Sequence, residues 1–147
     1  MKDLLYLKDD RLKEFIEKLF VCYKETFNDA KKTLNKHSLG VAHHKAIHLI
    51  SLHKGITISK LLKKLKITKQ SLNRVIKDLA SHQFIEFKKG VPDSRLKHVY
   101  LTKKGDQIFN EIFSSQKKRI YNALLNSSST EVNSFKKVLE KIINEKI

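Results

Sequence analysis

Cysteine is almost missing from these 147 residues: Cys22 stands alone, which excludes an internal disulfide framework and any multi-cysteine zinc site and suits a reducing compartment. Proline occurs once and glycine four times, so collagen-like and linker-rich architectures are out. No apolar run approaches the roughly 18 residues needed to cross a bilayer. The opening stretch MKDLLYLKDDRLKEF is too charged for a signal peptide. There is no Walker loop, no G-x-S-x-G elbow and no H-E-x-x-H zinc motif, and no carboxylate pair falls at a credible pocket. An enzyme is therefore not expected, nor a cofactor, nor a bound metal. Acidic residues are scarce as well: 15 Asp and Glu stand against 31 Lys and Arg, a net charge of +16. With 40% hydrophobic residues the chain can still build a core. A soluble, cytoplasmic, helix-rich and strongly basic protein is expected.

The positive charge is segregated. Between Lys54 and Lys104 there are 14 Lys or Arg and 3 acidic residues, a net of +11, whereas the other 96 residues carry a net of +5. A Lys-biased composition alone would spread the surplus evenly. Its concentration in one third of the chain is the footprint of a polyanion partner, nucleic acid first and an anionic membrane surface second.

Apolar periodicity divides the chain into helices. Residues 9–35 repeat Leu12, Phe15, Ile16, Leu19, Phe20, Tyr23, Phe27, Ala30 and Leu34 at spacings of three and four, with Asp9 or Asp10 as the N-cap. Leu39-Gly40 breaks the pattern, and a second helix covers 41–53 with Ala42, Ala46, Ile47, Ile50 and Leu52 as core candidates. Thr57 caps a short helix over 58–65, Lys66-Ile67 makes a tight connection, and Thr68 caps a helix over 69–81. That helix has an apolar side (Leu72, Val75, Ile76, Leu79) and a polar side (Lys69, Gln70, Ser71, Asn73, Arg74, Lys77).

The period then changes to that of strands over 84–88 and 97–101, joined by a tip holding Gly90 and Pro92, which reads as a hairpin with a projecting basic end. A helix follows from Thr102 or Lys103 to about 125. Ser128 and Glu131 have capping-box spacing ahead of a last helix over 131–145. The predicted fold class is mainly α with a small β-hairpin: a helix-turn-helix with a β-wing, flanked by long helices. Those flanking helices carry more apolar surface than a module of about 60 residues can cover, and a second copy of the chain is the simplest cover.

This order and its residues resemble the MarR family of winged-helix regulators. The run Asp93-Ser94-Arg95 through Leu101-Thr102-Lys103-Lys104-Gly105 resembles the family's D-x-R wing signature followed by L-T-x-x-G. Ile67 to Arg74 occupies the place where the family's recognition helix begins. The runs Gly40-Val41-Ala42-His43-His44 and Leu65 to Leu72 are similar to the alphaproteobacterial PetP-type subgroup. Asn73 departs from the small hydroxyl residues common there, so base preference is not carried over. The resemblance implies one domain over 1–147, with 9–38 and 106–147 as dimerisation helices and 39–105 as the winged helix-turn-helix DNA-binding region. It also implies a homodimer on double-stranded DNA, with room for a small-molecule effector and no membrane partner.

A helix fits the major groove and reads it with its N-terminal side chains. Gln70, Ser71, Asn73 and Arg74 are the expected base readers, because Arg pairs with guanine and Gln or Asn with adenine through two parallel hydrogen bonds. Thr68, Lys69 and Lys77 are expected at phosphates. On the wing, Arg95 is the expected minor-groove contact, Asp93 its orienting partner, and Lys88, Lys89 and Lys97 neutralise phosphate.

Other constellations are weaker. His44 and His48 share a helical face near His37, His43 and His53, but zinc wants three or four ligands, and packing or hydrogen-bonded histidines are expected instead. Cys22 reads as a buried, inert thiol beside Val21 and Tyr23, with redox sensing as its alternative role. Tyr6, Tyr23, Tyr100 and Tyr121 are candidates for a ligand cavity. The expected function is sequence-specific transcriptional regulation; the alternative class is a non-specific architectural protein that coats DNA.

Overall fold

Hydroxyl side chains start four of the helices. Thr57 Oγ1 accepts from the Lys60 N–H at 3.2 Å, Thr68 Oγ1 from Ser71 at 3.1 Å, Thr102 Oγ1 from Gly105 at 3.0 Å and Ser128 Oγ from Glu131 at 3.1 Å. Each satisfies a backbone donor that the first helical turn leaves open. In the computed structural model, which describes residues 4–89 and 97–147, these caps open α3 (Ile58–Leu65), α4 (Lys69–Ser81), α5 (Lys103–Leu125) and α6 (Ser129–Asn144). Glu131 returns the cap of α6 by accepting from the Ser128 N–H at 3.1 Å. Ahead of them come a short 3-10 turn at Leu5–Leu7, α1 (Asp9–Lys36) and α2 (Val41–Leu52). Asp9 and Asp10 do not cap α1. They lie in its first turn, where their charge complements the helix dipole, and Lys8 holds the cap position without a side-chain bond.

The predicted hairpin is present as β2 (Ile85–Lys89) and β3 (Lys97–Leu101), paired antiparallel with Phe87 opposite Val99. A third strand, β1 (Ile56–Thr57), joins the other edge of β3, with Ile56 opposite Val99. His98 fastens this edge by donating from Nδ1 to the Gly55 carbonyl at 2.8 Å. Between α3 and α4 the chain turns through Lys66 in the left-handed region, φ 52°, and its N–H closes back on the Leu62 carbonyl. The helix-turn-helix and its three-stranded wing thus form one unit. Ile47 and Ile50 of α2, Leu61 of α3, Leu72 and Leu79 of α4, Val99 of β3 and Ile112 of α5 are its fully buried centre.

One expectation for this core needs correction. Leu52 is 65% exposed, because two helical residues on from buried Ile50 the side chain points the other way. His44, expected as a packing or hydrogen-bonded histidine, is buried in the core, 2% exposed.

The L-T-x-x-G run joins the wing to α5. Thr102 donates from its N–H to the Phe84 carbonyl at 3.0 Å and from its hydroxyl to the Gln83 carbonyl at 2.6 Å. Gly105 sits so close that a Cβ added there would lie 2.0 Å from the Phe84 oxygen. Replacing a helical glycine by alanine ordinarily stabilises a helix by about 1 kcal/mol. Here the backbone blocks the methyl group, and Gly105→Ala is expected to destabilise the fold by about 1–3 kcal/mol. A urea denaturation midpoint lower than that of the unaltered chain is the check.

α1 and α5 are pinned to each other by Arg119, whose guanidinium grips both oxygens of Asp29, and by Gln116 Nε2, which donates to the Thr26 carbonyl at 2.9 Å. The hydrogen bond from Arg119 holds the Asp29 carboxyl below the usual carboxylate range. Beyond these contacts and the buried Ala30, Leu34, Ile108 and Ile112, the flanking helices stay open. Phe15, Ile16 and Phe20 of α1, Leu124 and Leu125 of α5, and Phe135, Val138 and Ile142 of α6 are all exposed, and α6 buries no residue in this chain.

Candidate nucleic-acid interface

α4 is held by one side and displays the other. Leu72, Val75 and Leu79 are buried, while Lys69, Gln70, Ser71, Asn73, Arg74 and Lys77 are all exposed. At 100° per residue, Gln70, Arg74 and Lys77 fall on a single stripe opposite the apolar one, with Asn73 beside it. Ser71 lies on the flank, and its Oγ accepts from the Thr68 hydroxyl at 2.8 Å, so Thr68 both caps the helix and orients its neighbour.

On the wing, Lys88 Nζ stands 4.7 Å from the centroid of Tyr100 and 4.0 Å from a Glu86 oxygen, and Lys97 Nζ stands 5.9 Å from the centroid of Phe87. Aromatic faces therefore hold both ammonium groups on the strands. Asp93, Arg95 and the side chain of Lys89 lie outside the described residues. The expectations for site residues did not include α3, yet Lys60, Lys63 and Lys64 on it are exposed and add cations on the element that precedes α4. The charge count over 54–104 already contained them. No periodic or motif signal marked them as candidates.

A cavity of about 720 Å³ opens between α1, α2, α5 and the end of α3. Its walls are mostly apolar, with Phe27, Leu65 and Phe113 among them, and Lys45, Lys64 and Lys117 supply cationic groups. Of the four tyrosines expected at such a cavity, Tyr121 lines it; Tyr6, Tyr23 and Tyr100 do not. His44 and His48 both line it, and His44 Nδ1 is buried without a hydrogen-bond partner among the described residues.

Burial pushes the His44 imidazole below its ordinary value, with the Gln116 side chain opposing; burial pushes His48 the same way. Each therefore takes up its proton at a lower pH in the fold than in the unfolded chain, where an imidazole titrates at about 6.5. The unfolded state then binds more protons, so stability declines below that pH. The melting midpoint is expected to fall between pH 7.5 and 5.5, and to fall less in His44→Leu; parallel curves for the two proteins would contradict this.

Among the described residues no group of three or more His, Cys, Asp or Glu side chains could hold a metal ion. His37 faces Glu111 at 3.3 Å, and His43 faces Asp78 at 3.0 Å. Cys22 is exposed, not buried. Its neighbours Val21 and Tyr23 look like packing residues, but they are exposed too, on the half of α1 that buries no residue.

Comparison with known proteins agrees with this geometry. A family model described as the MarR family matches residues 40–97, which span α2 through the start of β3. The HTH-type transcriptional regulator PetP of Rhodobacter capsulatus is 36% identical over 141 residues, covering 96% of this chain and 85% of that protein. A MepR variant of Staphylococcus aureus bound to an oligodeoxyribonucleotide has the same fold, with a TM-score of 0.60 at 18% identity, covering 88% of this chain and 95% of that one. NadR in complex with 4-hydroxyphenylacetate does too, with a TM-score of 0.75 at 16% identity over 88% of this chain and 92% of that one. On the winged-helix architecture, the family match and the identity maintained across nearly its whole length, the chain belongs to the MarR family and is a DNA-binding transcriptional regulator, not an enzyme.

Proposed function

We propose that the chain acts in the cytoplasm as a homodimer on a pseudo-palindromic operator, with the two copies of α4 entering successive major grooves about 34–36 Å apart. The observation that carries this reading is the polar stripe of Gln70, Arg74 and Lys77 on a helix whose opposite side is fully committed to the core. Gln70, Ser71, Asn73 and Arg74 read base edges. Thr68, Lys69 and Lys77 meet phosphates, and so do Lys88, Lys89 and Lys97 on the wing; Arg95 enters the minor groove, oriented by Asp93. Residues 9–38 and 106–147 form the subunit contact, and 39–105 form the DNA-binding region. The 720 Å³ cavity joins those two parts and is suited to a small effector, whose binding would favour one spacing of the two recognition helices over another.

The test is a base-substitution profile on a duplex selected from random sequence. Arg74→Ala is expected to cost about 1–3 kcal/mol at particular base pairs, whereas Lys77→Ala weakens all sequences alike. If the unaltered protein holds mixed-sequence DNA as tightly as its selected duplex at the same salt, the chain is a non-specific coat and the operator reading is wrong.

A further inference from the structure

The doublet His43-His44 sits in the first turn of α2, and its two side chains diverge. His44 lines the cavity, while His43 reaches across to α4. The Gly40 N–H donates to His43 Nδ1 at 3.1 Å, and a backbone N–H can only donate, so Nδ1 is the acceptor. The proton of the neutral ring therefore lies on Nε2, which donates to Asp78 Oδ2 at 3.0 Å. One imidazole thus closes the N-terminus of α2 and ties it to the acidic residue of α4, 35 positions away.

Apolar packing through Leu72, Val75 and Leu79 holds α4 down but is non-directional. A charge-assisted hydrogen bond is directional. Asp78 lies one turn beyond Arg74, on the neighbouring flank of the reading stripe, so whatever fixes Asp78 also fixes Arg74. An Arg and an Asp four apart on a helix attract each other, yet Asp78 pairs with His43. With His43 gone, the carboxylate is free to draw the guanidinium away from DNA.

We infer that His43 is a positioning residue for DNA recognition, clamping the roll of α4 through Asp78 without touching DNA itself. This rests on the reading of α4 as the recognition helix. The Asp78 side chain is 49% exposed, so the pair adds little to stability, and its effect should appear in discrimination.

The experiment uses the full chain and measures the ratio of affinities for a selected duplex and for mixed-sequence DNA at fixed salt, together with the melting midpoint. His43→Asn keeps an acceptor in the place of Nδ1 but cannot reach Asp78, which separates capping from clamping. It is expected to lower the ratio about tenfold with the midpoint nearly unchanged. Asp78→Ala should do the same, and Asp78→Asn, which keeps an acceptor for Nε2, should stay within about twofold of the unaltered protein. The double variant His43→Asn with Asp78→Ala should be no worse than the poorer single change. Losses that multiply in the double variant, a ratio that simply follows the melting midpoint, or no loss in His43→Asn overturns the clamp and leaves the operator reading standing. A ratio near one for the unaltered protein overturns both.

Discussion

Raising monovalent salt from 50 to 200 mM is expected to weaken DNA binding by about 10³-fold. A duplex carries condensed counterions that basic side chains displace, and affinity falls with a log–log slope of about −0.9 for each phosphate neutralised. Each copy of the chain offers Lys60, Lys63 and Lys64 on α3, Lys69 and Lys77 on α4, and Lys88 and Lys97 on the wing, all exposed. If three of these meet phosphate in each half of a symmetric complex, about six counterions are released, and a fourfold rise in salt costs roughly three decades. Lys77→Ala should make the slope shallower by about one unit per subunit. Mixed-sequence DNA should share most of the slope, because phosphate contacts carry no sequence information. Titrations of one labelled duplex at four salt concentrations measure it. A slope near −2 would mean that the basic third of the chain is largely idle on DNA.

How much of this was legible in the residues depends on how local each determinant is. Thr57, Thr68 and Ser128 act within three positions of themselves, so their caps could be read directly, and all three accept the expected bonds; Thr102, expected only at the opening of its helix, accepts one as well. The polar and apolar sides of α4 follow from helical spacing and needed no partner. β1 escaped because two residues hold no period, and its pairing to β3 spans more than 40 positions. Gly105 was visible as a motif letter; its reason, the Phe84 carbonyl pressed against it, exists only in three dimensions. His43 and Asp78 carry no mutual signal at a separation of 35. Cys22 failed because apolar neighbours were taken to imply burial, which holds only where an opposing surface exists, and Leu52 because it lies two residues on from Ile50, on the other side of α2. The cavity is a junction of α1, α2, α3 and α5, and no single stretch of sequence contains it.

Placing a charge on the open apolar face should separate the subunits. Ile16 and Phe20 on α1, with Phe15 beside them, and Phe135, Val138 and Ile142 on α6 recur at three- and four-residue spacing, and each is at least 41% exposed. Burying such side chains contributes about 1.5–3 kcal/mol apiece, too much for one chain to leave in water along two helices. In a twofold dimer every substitution occurs twice. Ile142→Glu would therefore remove two apolar contacts and bury two carboxylates, and an unpaired buried carboxylate costs several kcal/mol. The dimer dissociation constant is expected to rise at least about 10³-fold, as read by sedimentation across a dilution series. Leu52→Glu, on the exposed side of α2, should leave it unchanged. The core around Leu61, Leu72 and Leu79 does not involve α6, so the winged helix-turn-helix should stay folded in the monomer and keep its own phosphate contacts. Such a monomer can hold only one half-site, so its salt slope should be about half that of the dimer. If Ile142→Glu remains dimeric with the full slope, the subunits meet through a different face, and the long helices need another reason for their apolar stripes.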